Sequence, residues 1–182
     1  YGAFVPVLFV LYFGGIGLLR QNEKRILFYS QALLFLAGLV FYAYAGVLFV
    51  PVLLYECVAA WGFGLLLSTK RTRVKKGIAV FCLLLPLLLF KYLRYLLTLA
   101  GILSGTFFLP LGISFFTLQS ITYVLAVASG ELPAKKNPLP VALFVSFFPS
   151  ISSGPILRAK QMLPQFGQVR PFDYEAVTDG LK

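Results

Sequence analysis

PSISSGPILR, residues 149–158, interrupts an apolar run with two prolines, a glycine and three serines, and ends on Arg158. Lipid offers backbone N–H and C=O groups no hydrogen bond. Unwound chain at membrane depth therefore persists only where protein or a water-filled cavity covers it. A break like this marks a protein with an interior to line. The sharper reading is a broken helix forming a cavity wall, with Ser146, Ser150, Ser152 and Ser153 along it and Gly154 allowing close backbone approach. The plainer reading is a helix–loop at the interface, with Arg158 among lipid headgroups.

Immediately upstream, residues 141–148 begin an apolar segment that Pro149 stops early. At ~1.5 Å per residue, residues 138–148 cover only about half of a ~30 Å hydrocarbon core. Five longer apolar segments precede it, at residues 2–19, 26–44, 47–67, 78–99 and from Pro110 to about Ala128. Gly14, Gly15 and Gly17 loosen or tightly pack the end of the first. An uncharged hinge around Ala45 and Gly46 separates the second from the third. Pro86 is expected to kink the fourth, and Pro110 suits the first turn of the fifth. The fold class that follows is all-α: a polytopic transmembrane helical protein with about five full spans plus a broken or re-entrant sixth segment. Residues 1–182 form a single membrane domain in this reading.

Composition agrees. Of 182 residues, 59% are hydrophobic and 12% charged, about half the charge of a soluble domain. No A-x-A site follows the first apolar stretch, so it does not read as a cleaved signal. The chain begins at Tyr1 without an initiator methionine. Residues 172–182 read as a helix just starting, with Asp173 as N-cap and Glu175 in its first turn. An excerpt from a longer protein is expected.

The formal net charge of +10 does not point to nucleic acid, because the cations fall in separate short loops. Arg20, Lys24 and Arg25 connect segments one and two. Lys70, Arg71, Arg73, Lys75 and Lys76 connect three and four, and Lys135 and Lys136 lie in the loop at 130–140. The connections around Ala45 and over residues 99–108 carry none. Such alternation places the N-terminus outside and the odd-numbered loops in the cytoplasm. Cys57 and Cys82 lie in different apolar segments and read as packing residues. The chain has no histidine, which excludes histidine general-base chemistry and HExxH zinc sites from this stretch.

Glu56 stands mid-segment in LLYECVAAWGFG. An ionisable residue inside a membrane helix is a functional candidate by default, against the alternative of a glutamate that simply joins two helices. Ala59, Ala60, Gly62 and Gly64 beside it read as a close-packing face. Lys91 and Arg94, in LLFKYLRY, can snorkel among Tyr92 and Tyr95; an inward Lys91 would instead meet an anionic substrate or Glu56. Ser114, Thr117, Gln119, Ser120 and Thr122 make the fifth segment too polar to face lipid all round, and pairs three apart share part of its surface. GILSG, with Gly101 and Gly105, matches GxxxG at a segment end, where that motif carries little weight.

LPLGISFFTLQSITYV (residues 109–124) and SFFPSISSGPILRAKQMLPQF (146–166), supported by LLFKYLRY and FDYEAVTDGLK, resemble the membrane-bound O-acyltransferase family in its bacterial alginate O-acetyltransferase-like branch, over nearly the whole chain as its N-terminal portion. The resemblance implies a ring of helices around a thinned centre and a tunnel through it. An acyl group, acetyl in this branch, passes from an intracellular donor (acetyl-CoA or another acyl carrier, a cosubstrate rather than a bound cofactor) to a hydroxyl of an extracytoplasmic polysaccharide or related acceptor. It also implies the bacterial cytoplasmic membrane and partner proteins of an export or modification complex. The family's catalytic histidine is expected C-terminal to this chain, so no catalytic residue or metal site is assigned within it, and the piece alone is expected to be inactive. Where the branch reads an aspartate and then an arginine after the first block, this chain has Ala126 and Ser129. Ser152 and Ser153 replace a more apolar pair; both departures bear on a loop contact and on substrate preference. Candidate tunnel residues are Ser114, Gln119, Gly154 and Arg158, then Lys91 and Glu56. The rival reading is a transporter or flippase for a lipid-linked sugar, which needs the same broken helices without covalent chemistry.

Overall fold

The computed structural model describes residues 4–18, 22–69, 72–102, 109–154 and 157–168, with the side chains of Arg94, Ser152 and Ser153 left aside. Arg20, Lys70, Arg71, Gly105, Pro155, Asp173 and Glu175, all singled out from the sequence, lie outside the described residues.

Every regular element among the described residues is helical: α1 (Phe4–Leu18), α2 (Glu23–Gly46), a 3-10 turn (Val47–Phe49), α3 (Val50–Thr69), α4 (Arg73–Leu87), a π-helical stretch (Leu88–Leu93), α5 (Arg94–Leu99), α6 (Ile113–Ser129), α7 (Leu139–Val145), α8 (Phe148–Ser153) and α9 (Ala159–Phe166). Glu23–Thr69 and Arg73–Leu99 are long and apolar enough to cross a membrane; Phe4–Leu18, Ile113–Ser129 and Leu139–Ile151 are shorter apolar helices.

Local chemistry explains where these helices start. Lys24 and Arg25 belong to α2 rather than to the connection before it, because the Asn22 side chain accepts from the Arg25 amide at 3.3 Å and caps the helix ahead of them. Arg73, Lys75 and Lys76 likewise lie in the first turns of α4. Pro110 stands in a turn before α6 instead of in its first helical turn. The intervening Gly112 has φ of +66°, a left-handed conformation that interrupts the helix. A Cβ on Gly112 would lie 2.5 Å from the carbonyl oxygen of Ile151, so the turn also needs the missing side chain.

Pro86 lies inside α4, and its consequence for hydrogen bonding can be followed atom by atom. Lacking an N–H, it leaves the Cys82 carbonyl without its usual helical donor. The Tyr55 hydroxyl donates to that carbonyl at 3.0 Å, tying α3 to α4. Downstream the helix widens into the π stretch at Leu88–Leu93.

Two sets of contacts establish the chain directions. The side-chain amide of Gln31, early in α2, donates to the Phe166 carbonyl at the end of α9 at 2.9 Å. The Trp61 indole, late in α3, donates to the carbonyls of Lys135 and Lys136 at 3.0 and 3.2 Å. That loop is joined to α9 by Lys160 and Glu131, 3.6 Å apart. The start of α2 and the end of α3 therefore share one end of the bundle, and the chain reverses around Gly46. Lys24, Arg25, Arg73, Lys75, Lys76, Lys135 and Lys136 gather at this cationic end.

Helix α6 is the hub, packing against α3 and α4 and touching α7, α8 and α9. Small residues bring the helices close. Gly64 and Ala60 are buried on α3, and Gly64 lies under the Tyr123 ring of α6; Gly62 has open space where a Cβ would be and takes no part in that face. At Gly38, on α2, a Cβ would lie 2.7 Å from the Ser146 carbonyl oxygen beyond α7.

The quoted stretch differs from its expectation in one respect. The break comes at Ser146 and Phe147, and residues from Pro149 to Ser153 are helical within α8. Proline at a helix start loses no hydrogen bond and presents the right φ, so Pro149 opens a short helix rather than ending one. A second break at Gly154 separates α8 from α9. Helix α9 then reaches the cationic end again, so residues 139–166 enter and leave at the same end.

Candidate functional site

The interior of this bundle is polar in one layer. Glu56, Thr117, Gln119 and Ser120 are each fully buried, as is Ser146, and Ser150 is nearly so. The Thr117 hydroxyl donates to Glu56 Oε1 at 3.2 Å, joining α3 to α6 across the bundle. Ser120 lies beside the same carboxyl group, its hydroxyl also donating to the Phe116 carbonyl at 2.9 Å. On the next face of α6, Gln119 Nε2 donates to Ser150 Oγ at 2.8 Å, and Ser150 Oγ donates to the Phe147 carbonyl at 2.8 Å. The Phe147 carbonyl at the α7–α8 break also accepts from the Ser150 amide at 3.1 Å, so it is paired in the interior as a low dielectric requires.

Three buried atoms in this layer have no hydrogen-bond partner among the described residues: Glu56 Oε2, Gln119 Oε1 and the Tyr42 hydroxyl. Tyr42, on α2, packs edge-on against Phe116, with ring centroids 6.1 Å apart. Buried polar groups are costly to leave unpaired, so these three atoms are where the interior is least satisfied.

The structure brings Glu56 and Gln119 into one layer on α3 and α6 and leaves the other candidates apart. Ser114 is half-buried near the start of α6. Gly154 caps α8, where a Cβ would lie 2.7 Å from Ser150 Cα. Lys91 is exposed on the π stretch, its ammonium 5.8 Å from the Tyr92 ring centroid, and it does not meet Glu56. Arg158 is exposed at the cationic end, where it lines a cleft of about 750 Å³ with Lys76, Glu131 and Lys160. Cys57 and Cys82 are free thiols in the packing, as expected.

Tyr42 was not legible beforehand, because a tyrosine in the run FYAY reads equally well as an interface aromatic. The cleft was also hidden: its cations come from residues 76, 158 and 160, and only the return of α9 unites them.

The described chain is thus an all-helical bundle with apolar helices outside and a polar layer within. No family model matches the sequence, and no solved structure matches it. Curated relatives do. The probable alginate O-acetylase AlgI of Pseudomonas fluorescens is 32% identical over 154 residues, covering 83% of this chain and 30% of that protein. That of Pseudomonas aeruginosa is 30% identical over 178 residues, covering 90% and 32%. The peptidoglycan O-acetyltransferase of Helicobacter pylori is 32% identical over 198 residues, covering 90% and 37%. The chain belongs with these O-acetylases, in the alginate O-acetylase-like branch of the membrane-bound O-acyltransferases, and it spans about a third of the length of the relatives it matches.

Proposed function

We propose that the chain forms part of an O-acyltransferase of the bacterial cytoplasmic membrane. An acyl group, acetyl in this reading, is carried from an intracellular donor such as acetyl-CoA or another acyl carrier to a hydroxyl of an extracytoplasmic polysaccharide or related polymer. In this reading residues 1–182 are one membrane domain with five crossings and a re-entrant sixth segment. The N-terminus is outside, the cationic end is cytoplasmic, and partner proteins of an export or modification complex present the acceptor. The chain supplies scaffold and tunnel wall, with Gln119 and Glu56 in the buried polar layer and Ser114, Gly154, Arg158 and Lys91 as substrate-path candidates outside it. The base that activates the acceptor hydroxyl lies elsewhere in the protein.

The observation that carries this reading is the Gln119–Ser150 bond beside unpartnered Gln119 Oε1 and Glu56 Oε2, in a chain whose relatives are named O-acetylases. A polar interior in a membrane bundle is costly unless it is used. The test is acyl transfer from radiolabelled acetyl-CoA in membrane vesicles bearing the intact protein. Gln119→Leu should lower transfer by about tenfold, the loss of one polar contact in a dry site, and Arg158→Ala by less. Unchanged transfer in both, at equal protein levels, would refute the tunnel wall assignment.

A further inference from the structure

The cleft at the cationic end stands apart from the buried layer. It opens between the first turns of α4, the last turns of α6 and the start of α9, with a volume of about 750 Å³. That is room for a whole headgroup-sized molecule. Its charge is one-sided. Lys76 comes from α4, and Arg158 and Lys160 from the start of α9. Glu131 is the acid among the described lining residues, and it is paired with Lys160 at 3.6 Å, which leaves Lys76 and Arg158 without a carboxylate in the cleft.

The backbone adds to this. The first intrahelical bonds of α9 run from the amides of Gln161 and Met162 to the Arg158 carbonyl. The amides of Ala159 and Lys160 come before that ladder, at the positive end of the helix dipole. Leu125 and Ala126 of α6 continue the cleft as an apolar wall. A planar guanidinium, a lysine and an apolar wall, set where helices leave the apolar layer, match an amphiphile's phosphate better than a carboxylate alone.

Mere anchoring by positive charge does not require such a shape. Lys135 and Lys136 lie at the same end on the loop at 130–138, and neither lines the cleft. They are the internal comparison.

We propose that this cleft binds a phosphate-bearing anion, with Lys76 and Arg158 as its anchors. Two sources share that chemistry, the headgroup of an anionic phospholipid and a water-soluble phosphate ester. The site rests on the geometry of the cleft, and its test reads binding rather than acyl transfer.

The test uses the intact protein with the double variant Lys76→Ala/Arg158→Ala and, as control, Lys135→Ala/Lys136→Ala. In one arm the protein is placed in nanodiscs, and co-purified phosphatidylglycerol is measured against phosphatidylcholine. In the other, binding of radiolabelled glycerol 3-phosphate is measured in neutral detergent. In at least one arm the double variant should lose about tenfold in binding while the control stays within about twofold, since each cation near such a phosphate counts separately. Loss in the first arm alone assigns a lipid headgroup, and loss in the second assigns a soluble ester. If neither arm separates the double variant from the parent, or the control loses as much, the site is refuted. Should the double variant misfold by circular dichroism, Lys76→Gln and Arg158→Gln singly are judged by the same criterion.

Discussion

Helix α6 and the rod formed by α4, the π stretch and α5 invert the arrangement a soluble protein would choose. The rod is a nearly unbroken leucine-rich run, yet α4 buries only Ala79, Leu83 and Pro86, and the π stretch buries nothing among the described residues. Helix α6 carries Ser114, Thr117, Gln119, Ser120 and Thr122, yet it buries eight residues and forms the centre. Where the solvent is lipid, apolarity says little about what is inside. Polar and small side chains say more, because only another helix can satisfy or accommodate them.

The comparison breaks most visibly at two glycines with the same backbone habit. Gly112, before α6, and Gly101, after α5, have φ of +66° and +73°. Gly101→Ala should cost only the left-handed penalty, ~1–2 kcal/mol, because nothing lies within 4 Å of its Cβ position. Gly112→Ala adds a collision with the Ile151 carbonyl and should lose several kcal/mol by the usual cost of overpacking. Thermal unfolding of the two variants in detergent measures the difference; equal losses would mean that α6 and α8 are not in contact there.

A middle-sized effect contrasts buried and exposed ionisable groups. Glu56→Ala empties a packed position and strands the Thr117 hydroxyl, so a loss of ~2–4 kcal/mol is expected. Lys91→Ala, on the exposed face of the rod, should stay within ~0.5 kcal/mol. Denaturant titration of both variants would sharpen the contrast, and a Lys91 loss as large as that of Glu56 would overturn it.

The smallest effect tests how the rod is tied to α3, the helix that α6 packs against. Tyr55→Phe removes a donor from the Cys82 carbonyl and should cost ~0.5–1.5 kcal/mol. In a Pro86→Ala background that carbonyl regains a helical donor, so the same change should cost almost nothing. A double-mutant cycle with no coupling would show that the proline and the tyrosine act separately.

These cases also show how much of the molecule its sequence discloses. The helical segments, the disturbance at Pro86, the close-packing face at Ala60 and Gly64 and the interruption near residue 149 all rest on local chemistry, and they could be read. Starts were misplaced where a cap or a left-handed glycine decided them, as at Asn22 and Gly112. The Glu56–Thr117 bond spans 61 positions of sequence and Gln119–Ser150 spans 31. No local rule pairs such residues, so the polar groups were visible while their partners were not. The path of α9 was equally hidden, because a break in a helix shows that the chain turns and not where it goes.

That path has a consequence for where charge and polarity end up. Because α9 comes back to the end from which α7 departs, Arg158 and Lys160 stand beside Lys76 and Glu131 instead of at the far end of the bundle. Between the two ends Ser150 meets Gln119, so the polar group at the turn of this segment is matched by another helix and not left unpaired in an apolar surrounding. One short detour of the chain thus places its cations outside and its hydroxyl inside.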